Sequence, residues 1–239
     1  MERLTVGKVQ RKGLADQTAD LLRKAIVMGK LSSATRLVET ELSEQLEVSR
    51  GTLREALRVL ELEGLVESFP GRGTYVANLS ERDIQEVYSL RCILEEEAVR
   101  LVADKATPEQ VGRLEAVVEA MFESARQNNF SEVIERDLEF HQLIWQIADH
   151  QRLKQVLEGL RLQITMYLTV NTQLYEDLAT GIADHRVILE AIRSRDKEVA
   201  AATMATHLEY AAGLVMDFVH KRDERREEKS DIPDPVLAA

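Results

Sequence analysis

Apolar residues recur every three or four positions through most of this chain, the spacing of helices that bury one face. Between Leu14 and Met28 they fall at Leu14, Leu21, Leu22, Ala25 and Ile26, which predicts a first helix closed by Gly29. A short second helix is expected over 39–46. After the turn Glu47-Val48, Ser49 is placed to cap a third helix that runs to about Glu63 and ends at Gly64. The period then drops to two. LVESF and TYVAN, rich in β-branched and aromatic residues, flank Pro70-Gly71-Arg72-Gly73, the pattern of a two-stranded hairpin. Three helices and a hairpin in so short a stretch predict a winged helix-turn-helix.

Beyond Asn78 the helical period returns and holds to about His220. Ser80 with Asp83 resembles a capping box, and Thr107-Pro108-Glu109-Gln110 opens another helix with Pro in its first turn. Helices are expected near 81–104, 108–127, 131–149, 151–176, 178–194 and 196–221. The expected fold is therefore mainly α: a winged helix-turn-helix over 14–78, then an all-α antiparallel helical bundle over 80–221. Residues 1–13 read as a flexible basic arm, and 222–239, charged and broken by Pro, as a disordered tail.

Composition sharpens this picture at three points. With 11 Gly and 4 Pro in 239 residues, long stretches lack any helix breaker. No apolar run approaches the roughly 18 residues that span a bilayer, and the N-terminal residues lack a signal peptide's apolar core. The single cysteine, Cys92, excludes an intrachain disulfide framework and fits a reducing cytoplasm. The net charge of -11 is unevenly spread: residues 1–79 carry 12 Lys/Arg against 11 Asp/Glu, while 80–239 carry 19 against 31. A near-neutral head on an acidic body suggests different partners, and phosphate affinity depends on local cations rather than on the total.

The third helix begins Ser49-Arg50-Gly51-Thr52-Leu53-Arg54. Arg50 and Arg54 share one face, opposite the stripe Leu53, Ala56, Leu57 and Leu60. Arginine pairs bidentately with guanine, and hydroxyls such as those of Ser49 and Thr52 suit phosphate oxygens. Arg72, between Gly71 and Gly73, makes the wing tip a basic finger. The run VSRGTLREALRVLELEGLV followed by FPGRGTYV resembles the winged helix of the GntR family of bacterial regulators. That resemblance implies DNA contacts at Arg50, Thr52, Arg54 and Gly71. The chain departs from the pattern at Thr40, where some relatives carry arginine. It departs again at Ser32-Ser33-Ala34, in place of Pro-Pro-Gly, and at Gly51, where many have threonine.

In the acidic body, polar groups interrupt the apolar stripes. Asp137 and His141 lie one turn apart among Ile134, Leu138, Ile144 and Trp145. His185 sits between Ile182 and Leu189, and His207 is in line with Leu214 and Phe218. Each alone is ordinarily a satisfied core or surface residue. Together, three imidazoles and a carboxylate suit a shared Zn²⁺, Ni²⁺ or similar ion, which would offset the cost of burying them. The spacing of Asp137, His141, His185 and His207 also is similar to the FCD-type ligand-binding domain of the FadR subfamily of GntR regulators. In its metal-binding members one Asp and three His hold the ion. His150 and His220, at helix ends, are expected at the surface.

Arg91 lies on the apolar line of the first body helix, Ile84, Val87, Tyr88, Leu94 and Ala98. An inward arginine needs an anion: a protein carboxylate, or a bound carboxylate effector. Arg161, Tyr88 and Asn171 are further candidates for the effector pocket. The expected function is a cytoplasmic, homodimeric, metabolite-responsive regulator, usually a repressor by resemblance, on a pseudo-palindromic double-stranded DNA operator. A small organic acid would be its effector, with Zn²⁺ the leading candidate ion. A metal-dependent hydrolase is the alternative, and the metal could itself be the signal.

Overall fold

The computed structural model describes residues 13–77 and 80–230, with side chains to residue 224. The arm over 1–12, the junction 78–79 and the end 231–239 lie outside the described residues. The chain divides into two compact units, Met1–Asn78 and Leu79–Ala239.

The first unit holds α1 (Leu14–Val27), β1 (Arg36–Leu37), α2 (Glu39–Gln45), α3 (Arg50–Leu62), β2 (Val66–Phe69) and β3 (Gly73–Val76). Leu22 and Ile26 of α1 pack with Leu53, Ala56, Leu57 and Leu60 of α3 in its core, beside Leu37, Leu65 and Val76. Ser49 caps α3, its hydroxyl accepting from the Thr52 amide at 3.1 Å. The far end of α3 closes at Gly64, φ 71°. There the Leu65 amide donates to the Leu60 carbonyl at 2.9 Å and the Gly64 amide to that of Glu61 at 3.0 Å. This is the Schellman closure that needs a left-handed residue. The turn between α2 and α3 closes the same way, but through Glu47, φ 53°, with Val48 donating to Ser43 at 3.0 Å.

The wing differs from expectation by one strand. Its sheet is three-stranded, in the order β1-β3-β2 and antiparallel throughout. Arg36 pairs with Tyr75 and Leu37 with Thr74. Two residues are too short for an alternation to register in sequence.

The second unit is helical: α4 (Glu81–Lys105), α5 (Pro108–Arg126), α6 (Phe130–Ile147), α7 (Gln151–Gly159), α8 (Arg161–Leu174), α9 (Leu178–Gly181), α10 (Asp184–Arg193) and α11 (Lys197–Ser230). α4 packs most extensively on α11, α5 on α6, and α10 on α11 and α5. Ser80, Thr107 with Gln110, and Asn129 cap α4, α5 and α6. His150 is the cap of α7, its Nδ1 accepting from the Leu153 amide at 3.2 Å. His220 is exposed and pairs with Glu81 at 3.0 Å.

Three boundaries depart from the sequence reading. The helix expected over 151–176 is broken at Leu160, where φ −91° and ψ −2° turn α7 into α8 without Pro to mark the bend. The helix expected over 178–194 is α9 and α10, separated at Ile182 and Ala183. Gly181 is the last residue of α9, and the Tyr175 ring lies where a Cβ would project, so glycine is required there. The last helix continues past 221 to Ser230. Its added turns are Lys, Arg and Glu, strong helix formers with no Pro before Pro233.

Gly64→Ala places a Cβ at left-handed φ and is expected to lower the stability of the head by about 1–2 kcal/mol. Urea unfolding of the full chain, read by circular dichroism, checks this; an unchanged midpoint contradicts it.

Candidate functional site

Three helices of the body direct polar groups at one buried point. α6 supplies Asp137 and His141 one turn apart, α10 supplies His185 and α11 supplies His207, all buried. One nitrogen from each histidine lies within 4.8 Å of the others. His141 Nε2 and His207 Nε2 are 3.3 Å apart. Asp137 stands 3.4 Å from His185 Nε2 and 3.6 Å from His141 Nε2.

The other ring nitrogens are engaged by groups that only accept. His141 Nδ1 donates to Glu95 Oε2 at 2.5 Å. His207 Nδ1 donates to Asp184 Oδ2 at 2.7 Å, and His185 Nδ1 to the Ile182 carbonyl at 3.1 Å. Each neutral ring therefore carries its hydrogen on Nδ1 and turns a bare Nε2 lone pair inward. Two such lone pairs facing each other repel unless a cation or a proton lies between them. Asp137 Oδ1 and His185 Nε2, both buried, find no hydrogen-bond partner.

A divalent ion fits this donor set. A tetrahedral ion with bonds of about 2.0–2.1 Å separates neighbouring donors by about 3.3 Å, close to the spacings seen here. Carboxylates and carbonyls behind metal-bound imidazoles are also the usual supporting arrangement. Glu95 and Asp184, which sequence reasoning did not single out, fill that role. Glu95 was findable as the residue four after Arg91 on the same stripe; Asp184 had no signal beyond preceding His185.

Protonation follows the same geometry. Burial works against charge on His185, but Asp137 and Asp184 outweigh it and hold its pKa up at about 10. Burial pushes His207 down despite Asp184. Burial would raise Asp137 and Asp184, but the surrounding histidines hold both carboxyls below the usual range.

Beside this cluster, Arg91 is 1% exposed. Its Nε donates to Glu95 Oε1 at 2.8 Å, while its Nη2 is buried without a hydrogen-bond partner. The internal ion pair expected of an inward arginine is therefore present, and it leaves Nη2 without a hydrogen-bond partner. Its guanidinium carbon lies 5.2 Å from the centre of the Tyr88 ring. Tyr88 stacks on Tyr167 at 5.6 Å, and burial pushes its phenol up to about 12. The Tyr88 hydroxyl and Asn171 Oδ1 are likewise buried and unpartnered. Asp137 acts electrostatically on both Tyr88 and Arg91. Arg161 is not part of this group. It is the exposed first residue of α8, paired with Glu158 at 3.8 Å.

In the head, Arg50 is exposed at the start of α3. Arg54 is exposed and pairs through Nε with Glu39 of α2 at 2.8 Å. The Ser49 and Thr52 hydroxyls bond each other at 2.8 Å, so their first duty is the cap. Gly71 (φ 74°) and Gly73 (φ 105°) turn the wing tip and leave Arg72 exposed. Arg36, missed in sequence, reaches across to Gly73 and adds a second cation there.

A winged helix-turn-helix ahead of a helical body defines the class: a transcription regulator. The comparisons agree. Residues 14–76 match the bacterial regulatory proteins of the gntR family, and residues 86–210 match the FCD domain. The HTH-type transcriptional regulator YdhC of Bacillus subtilis (strain 168) is 31% identical over 79% of this chain and 85% of its own. The gluconate operon transcriptional repressor of the same organism is 27% identical over 82% and 83%. The HTH-type transcriptional repressor RspR of Escherichia coli (strain K12) is 28% identical over 88% and 90%. In fold, the chain is similar to E. coli McbR/YncC, with TM-score 0.70 and 22% identity over 86% of this chain and 98% of that one. It is similar also to a GntR regulator from Rhodococcus sp. RHA1, with TM-score 0.72 and 23% identity over 85% and 97%. The chain belongs to the GntR family of transcriptional regulators, in the FadR-like subfamily with an FCD domain. That family comprises regulators rather than enzymes, which removes the hydrolase alternative. Among the described residues no helix is long and apolar enough to cross a membrane.

An ion binding here would have to displace the proton that Asp137 and Asp184 hold on His185, so affinity is expected to rise with pH through the neutral range. Zn²⁺ titrations at several pH values check the sign; a flat profile contradicts it. His185→Ala is expected to bind less than one ion per chain where wild type binds one, as measured by elemental analysis.

Proposed function

We propose that this chain is a metabolite-responsive repressor that binds a pseudo-palindromic operator as a homodimer. Its body holds a divalent ion, with Zn²⁺ favoured over Ni²⁺, through Asp137, His141, His185 and His207. It senses a small organic carboxylate through Arg91. The observation that carries the sensing half is the buried, unpartnered Nη2 of Arg91 beside a ligand-type histidine cluster. A guanidinium edge in that setting calls for an anionic partner. Tyr88 and Asn171 offer a hydroxyl and a carbonyl oxygen to the remainder of such a molecule. The bound ion would supply positive charge against the same carboxylate. Two relatives are named for repression of a gluconate operon, which fits an organic acid.

Reading of DNA is assigned to Arg50, Thr52 and Arg54 on α3, with Ser49 at its cap and Gly71 and Arg72 at the wing. Arg54 would exchange its Glu39 partner for a base edge or phosphate. Leu90 and Ile93, exposed at 44% and 67% on α4, offer an apolar pair to a second copy. Effector binding is read out as population shift. The acid favours one packing of the body, and with it one spacing of the two heads on their half-sites.

Thermal-shift screening of organic acids on the Zn²⁺-loaded chain tests the sensor, because a ligand of the native state raises its Tm. An acid that stabilises wild type is expected to lose its effect in Arg91→Ala, and an undiminished shift there would refute the assignment. Arg54→Ala is expected to weaken operator binding by about 1–3 kcal/mol, roughly 5- to 150-fold. Gel-shift titration on operator DNA selected from random sequence measures this; equal affinity would remove Arg54 from the interface.

A further inference from the structure

The Glu95 carboxylate is wholly buried and uses both oxygens in different directions. Oε1 accepts from Arg91 Nε at 2.8 Å. Oε2 accepts from His141 Nδ1 at 2.5 Å and from Trp145 Nε1 at 3.0 Å. Its charge is held well below the ordinary carboxyl range by His141 and Arg91, against the cost of burial. One group thus fixes the Nδ1–H form of a metal-type histidine and half-occupies the guanidinium assigned to the effector. Trp145, one turn after His141, donates to the same oxygen and so holds that oxygen on the α6 side.

We propose that Glu95 is a positioning residue that couples the ion cluster to Arg91, so that occupancy at His141 and the state of the Arg91 guanidinium depend on each other through this carboxylate. A cation on His141 Nε2 makes the Nδ1–H more acidic and draws Glu95 towards the ring. That loosens its hold on Arg91 Nε and leaves more of the guanidinium charge for an incoming anion. By linkage, whatever engages Arg91 alters ion affinity in equal measure. The inference rests on the metal part of the reading above and not on its carboxylate part.

The test uses Zn²⁺ alone on the full chain: wild type, Arg91→Gln, Glu95→Gln and the double variant. Glu95→Gln is expected to weaken Zn²⁺ binding about 10- to 100-fold, the usual loss for a group behind a metal ligand. Arg91→Gln, which frees Glu95 from its competing partner, is expected to strengthen Zn²⁺ binding by a smaller factor. The double variant should bind as Glu95→Gln does, because the proposed effect of Arg91 on the cluster runs through Glu95. Factors that multiply in the double variant overturn the proposal, as does wild-type Zn²⁺ affinity in Glu95→Gln.

Should a variant fail to fold, the wild-type chain supplies the answer by ¹⁵N NMR. The Arg91 Nε–H resonance is expected to move as Zn²⁺ is added, while that of Arg23, bonded to Glu63 in the head at 2.7 Å, stays fixed. An unmoved Arg91 signal in a chain that binds Zn²⁺ overturns the coupling. A wild type that binds no Zn²⁺ overturns both the coupling and the metal site. A negative acid screen sinks only the effector half of the function.

Discussion

Charge can be kept in the middle of a helical bundle only where opposing or polar groups meet it, and this constraint organises the body of the protein. Glu95 and Arg91 are wholly enclosed on α4, between Ile84 and Tyr88 on one side and Ala98, Val99 and Val102 on the other. That pair is tolerable because α6 brings His141 and Trp145, one turn apart, to the same carboxylate oxygen. α10 and α11 then bring His185 and His207 into register with Asp137 and Asp184. Deleting one member of such a network leaves an uncompensated buried charge, a loss of about 3–5 kcal/mol. The packing of α4, α6, α10 and α11 is therefore dictated by polar matching as well as by apolar area.

The head was legible because its information is local. Ser49, Leu53, Ala56, Leu57, Leu60 and Gly64 mark one helix from cap to Schellman closure within a single stretch. The inward histidines were legible for a related reason, since a helical stripe declares which residues share a face. What the stripe cannot show is which residue of another helix stands opposite. Glu95 lies 46 residues from His141, and Asp184 lies 23 from His207. Arg161 failed for the complementary reason: α8 begins at that residue after the bend at Leu160, so its side chain points into solvent. Continuous periodicity hid the bend, and a two-residue strand hid β1.

The head also carries a constraint that its motif conceals. Arg54 is not waiting free for DNA; it is held by Glu39 across the helix-turn-helix. The pair is largely exposed, so it contributes at most about 1 kcal/mol and is readily exchanged for a phosphate. Its value is orientation, since it keeps a long side chain from sampling every rotamer before contact. Ser49 and Thr52 behave alike, spending their hydroxyls on each other and on the helix start.

One helix, α4, carries both the buried ion pair and the chain's connection to the head. α4 begins at Glu81, directly after the junction with the head, and ten residues later presents Arg91 and then Glu95 to the buried site. A rigid helix cannot take up a change at one turn without moving its other turns, because its backbone hydrogen bonds resist local stretching more than its side-chain packing resists sliding. The carboxylate proposed to couple ion and anion therefore sits on the helix that follows the winged helix-turn-helix in the chain.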